Sequence, residues 1–370
     1  MKRASIGAGL AAVLIVVALL SGSGKQSVEP LSQATPTWGS GHRLFWDDAM
    51  GSNWKNLRER VLISDWRGRS LRQLVKLRQG TLINSVLRAS QDGKWVAFVT
   101  VLKQPTTYVT ARLCLIHLTV GERLHFSCPV RAVELYAFSP DSQWLAYSYN
   151  GVVHLYQPSS GRNVIASPTV TTDTRVAWTA DSKGVFYGAF PLGQYNSPMR
   201  AGLRYAGIDG STWVVGSTKN RAIFALGRVS GSSILLWSMR SGKDYLFDPL
   251  THRLDQVSAP VELISIAGHP GDVTFSGDGR KMAILDSQRH WRICPTGALA
   301  AGLRWSQCTQ LPNAPGGEER GGPGTFSSIL NFNGSAAIDY RVTAHGYNSS
   351  LVNLATGSSW PLYSYTYKNQ

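Results

Sequence analysis

The chain has 370 residues, of which 43% are hydrophobic and only 16% charged, with a net charge of +15. This balance excludes a disordered chain, because there is enough apolar side chain to build a core. The positive excess predicts attraction to polyanions and carries no information about the fold.

The first residues read as a targeting segment. Met1-Lys2-Arg3 is a short basic start, Ala4 to Leu20 is uncharged, and Ser21-Gly22-Ser23-Gly24 supplies small residues. That is the layout of a secretory signal. The apolar run is also at the lower limit for a membrane-spanning helix. Residues 1–23 are therefore expected to be a signal peptide or a transmembrane anchor. No cysteine lies near the junction, which excludes a lipoprotein anchor. Residues 24–40, with Pro30, Pro36 and several Ser and Thr, read as a linker. Residues 41–370 form the folded body. The expected location is outward-facing and membrane-anchored, or secreted or periplasmic. That location argues against nucleic acid as a partner and leaves a protein, an acidic envelope polymer or an anionic membrane surface.

Three strand-like runs open the body: residues 42–47, 60–65 and 69–75. Lys55, Arg58, Arg60, Arg67, Arg69, Arg72, Lys76 and Arg78 fall here against two acidic residues, Glu59 and Asp65. The plain reading is a solvated outer strand. The sharper one is contact with anionic headgroups or wall polymer.

From residue 90 onward the chain repeats itself. Asp92-Gly93-Lys94-Trp95-Val96-Ala97-Phe98 is echoed by Asp141-Ser142-Gln143-Trp144-Leu145-Ala146-Tyr147, then near Asp181 and Asp278. Weaker copies lie around Gly231 and Asn333. The spacing is roughly the 40–50 residues of a four-stranded propeller blade. An inner strand precedes each Asp, and Asp-Gly or Asp-Ser makes a tight turn, because Asp bonds its own backbone and Gly accepts positive φ. Asp92, Asp141, Asp181, Asp278 and Asn333 are therefore expected to be turn residues and not acid–base groups. The repeats resemble the TolB-type, WD-like propeller repeats of bacterial envelope proteins. The resemblance implies an all-β propeller over residues 43–362, without room for the separate N-terminal α/β domain of TolB, so that family's partner contacts do not transfer. Six copies plus the N-terminal runs predict seven blades, with six as the alternative. The C-terminal run Tyr363–Tyr367 is expected to close the ring on the N-terminal blade, leaving no sheet edge.

The four cysteines form two pairs, Cys114 with Cys128 and Cys294 with Cys308. Folding the first segment as a hairpin at Val120-Gly121-Glu122 sets Cys114 opposite Cys128, Ile116 opposite Phe126 and Leu118 opposite Leu124, all on one face. Two local disulfides are predicted, in keeping with an oxidising compartment. A zinc site would need closer cysteine spacing. His117 and His125 are left on the opposite face, and two ligands do not make a metal site.

Catalytic signatures are missing. There is no Gly-x-Ser-x-Gly elbow, no His-Glu-x-x-His and no complete phosphate loop. Asp47-Asp48 stands outside the repeats, and a glycosidase would need two carboxylates converging, which the sequence does not show. No catalytic, cofactor or metal residue is expected. The sequence favours a monomeric binding or scaffolding propeller of the envelope. The alternative is a glycan or peptide hydrolase or lyase acting at the channel mouth, since the fold hosts both.

Overall fold

A computed structural model of the chain describes residues 43–50, 58–65, 72–83, 87–102, 110–118, 124–166, 176–189, 202–218, 223–238, 241–257, 273–276, 278–285, 291–310, 329–330, 336–343, 346–353 and 358–366. The expected export segment and linker, Lys55, Arg67, Arg69 and Asn333 lie outside the described residues. Among the described residues no helix is long and apolar enough to cross a membrane. Regular structure there is all β, apart from short 3₁₀ turns at Gly216–Thr218, Thr296–Ala298 and Trp305–Gln307.

The described strands form seven antiparallel sheets. Sheet 1 holds β1 (Arg43–Met50), β2 (Arg58–Asp65) and β3 (Arg72–Lys76). Sheet 2 holds β4 (Thr81–Ile83), β5 (Arg88–Ala89), β6 (Trp95–Leu102), β7 (Thr110–His117) and β8 (His125–Arg131). Here β4 pairs with Thr100–Leu102 of β6, and β5 pairs with Val96 and Ala97 of the same strand. Sheet 3 holds β9 (Glu134–Phe138), β10 (Leu145–Tyr149), β11 (Val152–Tyr156) and β12 (Asn163–Ile165). Sheet 4 holds β13 (Val176–Trp178), β14 (Gly184–Ala189), β15 (Gly202–Gly207) and β16 (Thr212–Val214). Sheet 5 holds β17 (Ile223–Arg228), β18 (Ile234–Ser238), β19 (Lys243–Asp248) and β20 (Arg253–Gln256). Sheet 6 holds β21 (Val273–Phe275), β22 (Lys281–Leu285), β23 (Trp291–Pro295) and β24 (Thr309–Gln310). Sheet 7 holds β25 (Ile329–Leu330), β26 (Ala336–Thr343), β27 (Gly346–Asn353) and β28 (Ser359–Thr366).

One expectation is corrected. As far as Thr366 the C-terminal run is part of β28, the fourth strand of sheet 7 beside β27, and among the described residues it pairs with no strand of sheet 1; Tyr367 lies outside the described residues.

The contacts divide the chain into two compact units: Met1–Ala89, Gly93–Leu135 and Tyr365–Gln370 form one, and Ser90–Asp92 and Tyr136–Ser364 form the other. In the first, sheets 1 and 2 meet through Val61, Ile63, Leu74, Val96, Phe98, Cys114 and Ile116. Glu59, which is buried, accepts a hydrogen bond from the Ile83 amide and so ties β2 to β4. In the second, Trp144, Leu155, Trp178 and Tyr187 join sheets 3 and 4. Phe186, Ile223, Leu236 and Phe247 join sheets 4 and 5. Trp237, Met282, Ile284 and Cys294 join sheets 5 and 6. Each strand in these stacks offers alternate side chains to the two neighbouring sheets, which is why runs such as Leu145–Ser148 and Ile234–Ser238 are buried on both faces.

The turns are built the same way in sheets 3, 4 and 6. The amides of Ser139, Thr179 and Ser276 donate to the carbonyls of Trp144, Gly184 and Lys281 at 2.8, 2.9 and 2.9 Å. The residue after each Asp takes positive φ: 65° at Ser142, 62° at Ser182 and 71° at Gly279. Serine is a poor choice for this backbone, and its hydroxyl explains its use. Within the second unit the Asp92 amide donates to Ser142 Oγ at 3.0 Å, and the Asp141 amide donates to Ser182 Oγ at 2.9 Å. Each hydroxyl thus receives the amide of the preceding copy of the turn.

Two outcomes follow for urea denaturation. Ser142→Ala loses the bond and keeps the unfavourable backbone, so it should destabilise the protein by about 1–2 kcal/mol. Ser142→Gly relieves the backbone and should cost less. Equal losses would show that the hydroxyl contributes nothing. Gly227 is the second test. It sits at a bulge in β17, and a Cβ there would collide with the Phe275 ring of β21. Gly227→Ala should destabilise by about 1–3 kcal/mol, and Phe275→Leu in the same chain should recover part of that loss.

Candidate functional site

The repeat turns of the second unit converge on an open cleft of about 420 Å³. Gln91, Pro140, Asp141, Ala180, Asp181, Ser182, Arg228, Asp278 and Arg280 line it. Three of the expected turn carboxylates are therefore brought together, and each is engaged by its own turn. Asp141 Oδ1 accepts from Ser139 Oγ at 2.5 Å and from the Gln143 amide at 3.0 Å. Asp278 Oδ1 accepts from Ser276 Oγ at 2.6 Å and from the Arg280 amide at 3.0 Å. Asp181 Oδ1 accepts from the Lys183 amide at 3.1 Å, with Lys183 Nζ 3.8 Å from Oδ2. Partial burial works to raise the Asp181 pKa, but the Thr179 hydroxyl, the Lys183 amide and the Lys183 charge outweigh it and hold the carboxyl below its ordinary value. Such a group is a fixed anion at neutral pH and not a proton donor.

Arg228 and Arg280 add two positive charges to the lining, beside Asp278. Burial lowers the pKa of Arg228, and the neighbouring Asp278 charge acts in the opposite direction. The position is set by Thr296, which is buried. Its hydroxyl donates to the Gly279 carbonyl at 2.6 Å and accepts the Ser230 amide at 3.0 Å. The backbone at Gly279 presses so closely on the Arg228 carbonyl that an added Cβ would lie 3.1 Å from it. One hydroxyl therefore locks the end of β17 to the turn that carries Asp278 and Arg280.

The other sequence-derived residues fall as follows. Both disulfides form, with Cα–Cα distances of 4.0 Å for Cys114–Cys128 and 4.3 Å for Cys294–Cys308. The first pair lies on β7 and β8 in the expected register, Ile116 opposite Phe126 and His117 opposite His125, with a bulge between Leu113 and Leu115. His117 stacks on Trp95 with ring centroids 4.0 Å apart. Among the described residues no group of three or more His, Cys, Asp or Glu could hold a metal. Asp92 sits in its turn, accepting from Ser90 Oγ at 2.6 Å, and its neighbour Gln91 reaches the cleft. In the basic stretch, Arg60 pairs with Lys76 across β2 and β3, and Arg72 pairs with Ile63. Arg58 lies on β2 opposite Met50, and Asp48 is the β1 partner of Arg60. Lys76 and Arg78 are exposed.

Sequence reading missed Arg228, Arg280, Thr296 and Asp244. Asp244 had a signal: in Lys243-Asp244-Tyr245-Leu246-Phe247 it shares the period-2 face of Leu246, which packs against the core between sheets 5 and 6. It lies opposite Trp237, its Oδ1 is enclosed without a hydrogen-bond partner, and burial pushes its pKa up to about 7. The native state thus binds this proton more tightly than the unfolded chain. Stability is unaffected below about pH 4, falls as pH rises towards 7, and stays lowered above. Asp244→Asn should therefore stabilise the protein by about 2–4 kcal/mol near pH 8 and have little effect near pH 4. Thermal melts of the two proteins across that range would show it, and parallel pH profiles would refute it.

No family model and no curated protein matches the sequence. Solved β-propellers do match the structure. The propeller domain of the Trilobed protease from Pyrococcus furiosus aligns with TM-score 0.55 and 12% identity, over 88% of this chain and 96% of that one. A prolyl endopeptidase aligns with TM-score 0.57 and 12% identity over 90% of this chain, which spans only 50% of the enzyme. TolB from Acinetobacter baumannii aligns with TM-score 0.46 and 13% identity, over 95% of this chain and 90% of that one. TolB proteins are thus among the structural neighbours, and the chain has the β-propeller fold.

Proposed function

We propose that the chain is an exported, seven-bladed propeller of the cell envelope. In this reading it works as a monomeric binding or scaffolding module for a protein, held near an anionic membrane or envelope polymer by its basic charge. The observation that carries the reading is the chemistry of the cleft. Its carboxylates are tied into the turns that build the wall, and Asp181 is held in its charged form. Fixed charges in a polar recess suit recognition, whereas hydrolysis or elimination asks for a group whose proton can move. Two disulfides support an oxidising compartment. The signal-like start at residues 1–23 supports export, and the net charge of +15 supports attachment to polyanions outside the cell.

Attachment is tested with the full-length chain on phosphatidylglycerol-containing and phosphatidylcholine vesicles, and on cell-wall material, at low and high salt. Binding to the anionic surfaces should exceed binding to the neutral one and weaken steeply with salt. The triple variant Arg72→Ser, Lys76→Ser and Arg78→Ser should lose affinity by about two orders of magnitude, at about 1 kcal/mol for each charge near the surface. Binding that ignores both salt and the substitutions would remove the basic stretch from the reading.

A further inference from the structure

We propose that Cys294–Cys308 is a redox-sensitive latch on the wall of the cleft. When the bond is reduced, residues 297–308 open and the tie between sheets 5 and 6 at Thr296 is lost. The latch acts on the wall whatever the cleft binds. Three observations lead to it.

The first is how the end of sheet 6 is held. Strand β23 meets β22 in five pairs, the last being Lys281 with Pro295. Strand β24 meets β23 in two, Arg292 with Gln310 and Ile293 with Thr309. The chain between them contains two single 3₁₀ turns, Thr296–Ala298 and Trp305–Gln307, a form with poor hydrogen-bond geometry. The disulfide holds the ends of this segment at a Cα–Cα distance of 4.3 Å. Opening a segment pinned at both ends releases less chain entropy than opening one pinned at a single end.

The second is what the segment covers. Leu299 and Leu303 are buried and pack with Met282, Ile284 and Cys294. Thr296, where the segment begins, is 2% exposed. Its amide donates to the Arg280 carbonyl at 2.9 Å, which keeps its backbone on sheet 6. Its hydroxyl reaches across to accept the Ser230 amide at the end of β17. A Cβ on Gly297 would lie 3.9 Å from the Ser230 side chain, so the segment lies close over this bond. Opening the segment lets water compete for the hydroxyl, and a bond that water can replace contributes little. The reach to sheet 5 is therefore the part that yields. Cys114–Cys128 differs, since β7 and β8 are paired on both sides of it.

The third is access. Cys294 is fully buried, whereas Cys308 is partly exposed. A dithiol in its thiolate form attacks Cys308 Sγ and forms a mixed disulfide there. The Cys294–Cys308 bond breaks, and the Cys294 sulfur leaves with the electron pair and takes up a proton. The second thiolate of the reductant then displaces Cys308, which takes up a proton in turn. Both cysteines end as thiols and the dithiol ends as a disulfide. The wall is thus complete only where dithiols are kept oxidised.

The test is hydrogen exchange of the full-length chain, read by mass spectrometry on peptides covering Asp141, Ser230 and residues 297–308. Graded dithiothreitol followed by alkylation gives the redox state of each cysteine. Once Cys294 and Cys308 are reduced, Ser230 and residues 297–308 should exchange at least about tenfold faster. The Asp141 amide, bonded to Ser182 Oγ in the same unit, should keep its rate. Reoxidation with oxidised glutathione should restore the slow rates. The double variant Cys294→Ala and Cys308→Ser should match the reduced protein without any reductant. Thr296→Val should speed exchange at Ser230 with the disulfide intact and leave residues 303–308 slow. An unchanged Ser230 rate after reduction would overturn the latch. So would equal acceleration at Asp141 and Ser230, which is general destabilisation, or a bond that resists dithiothreitol until the whole chain unfolds. The reduced chain is made from folded protein, so the comparison stands even where the double variant does not fold.

Discussion

A backbone amide in one repeat turn donating to a buried hydroxyl of the neighbouring sheet is the constraint on which the cleft depends. The Asp92 amide reaches Ser142, the Asp141 amide reaches Ser182, and the Ser230 amide reaches Thr296. Apolar packing between sheets is strong but tolerant of small slides, because it has little direction. A hydrogen bond to a buried hydroxyl is directional and fixes how far each turn stands from its neighbour. The turns carry the charged groups of the cleft, so the spacing of those charges follows from this relay. It also explains why a serine is kept at positive φ in two copies, where glycine alone would be easier for the backbone.

Much of this was legible in the sequence, for identifiable reasons. The Asp turns and the strands beside them announce themselves through short-range chemistry: Asp binding its own backbone, and alternating apolar residues. The hairpin register around Cys114 and Cys128 follows from period-2 geometry over fifteen residues and needs nothing from the rest of the fold. The copy near Gly231 read weakly, and the structure gives the cause. Its turn closes from Val229 to Ser233, one residue shorter than the Ser139 to Trp144 turn, so the two sequences fall out of phase. The aromatic run at the C-terminus was misplaced because its composition says strand without saying which neighbour it pairs with.

The cleft was less legible, and the reason is tertiary. Arg228 and Arg280 are far apart in the chain and line one cleft because Thr296, further on again, holds both backbones. In sheet 6 the residue after Asp278 is Gly279, which brings no hydroxyl to the relay. Thr296 supplies one from the far end of β23 and receives the amide that a turn serine would otherwise accept. A substitution of this kind, in which one position loses a group and a distant one provides it, leaves no pattern in a single sequence. Asp244 lies between these cases. Alternation places it on a buried face, but only the packing of sheets 5 and 6 shows that its carboxyl finds no partner there.

The disulfides fit this account in different ways. Cys114–Cys128 fastens β8 to β7 beside a bulge that interrupts the ladder between them. Cys294–Cys308 does more. Strand β24 is only two residues long and offers few ladder bonds to hold it against β23. The bond closes the segment between them, which includes Thr296 and the apolar residues Leu299 and Leu303 that pack into the core. Restricting that segment in the unfolded chain favours the state in which Thr296 is in place. The Cys294–Cys308 bond thus contributes more than general stability: it supports the hydroxyl that holds the backbones carrying Arg228 and Arg280, and the charge pattern of the cleft depends on it.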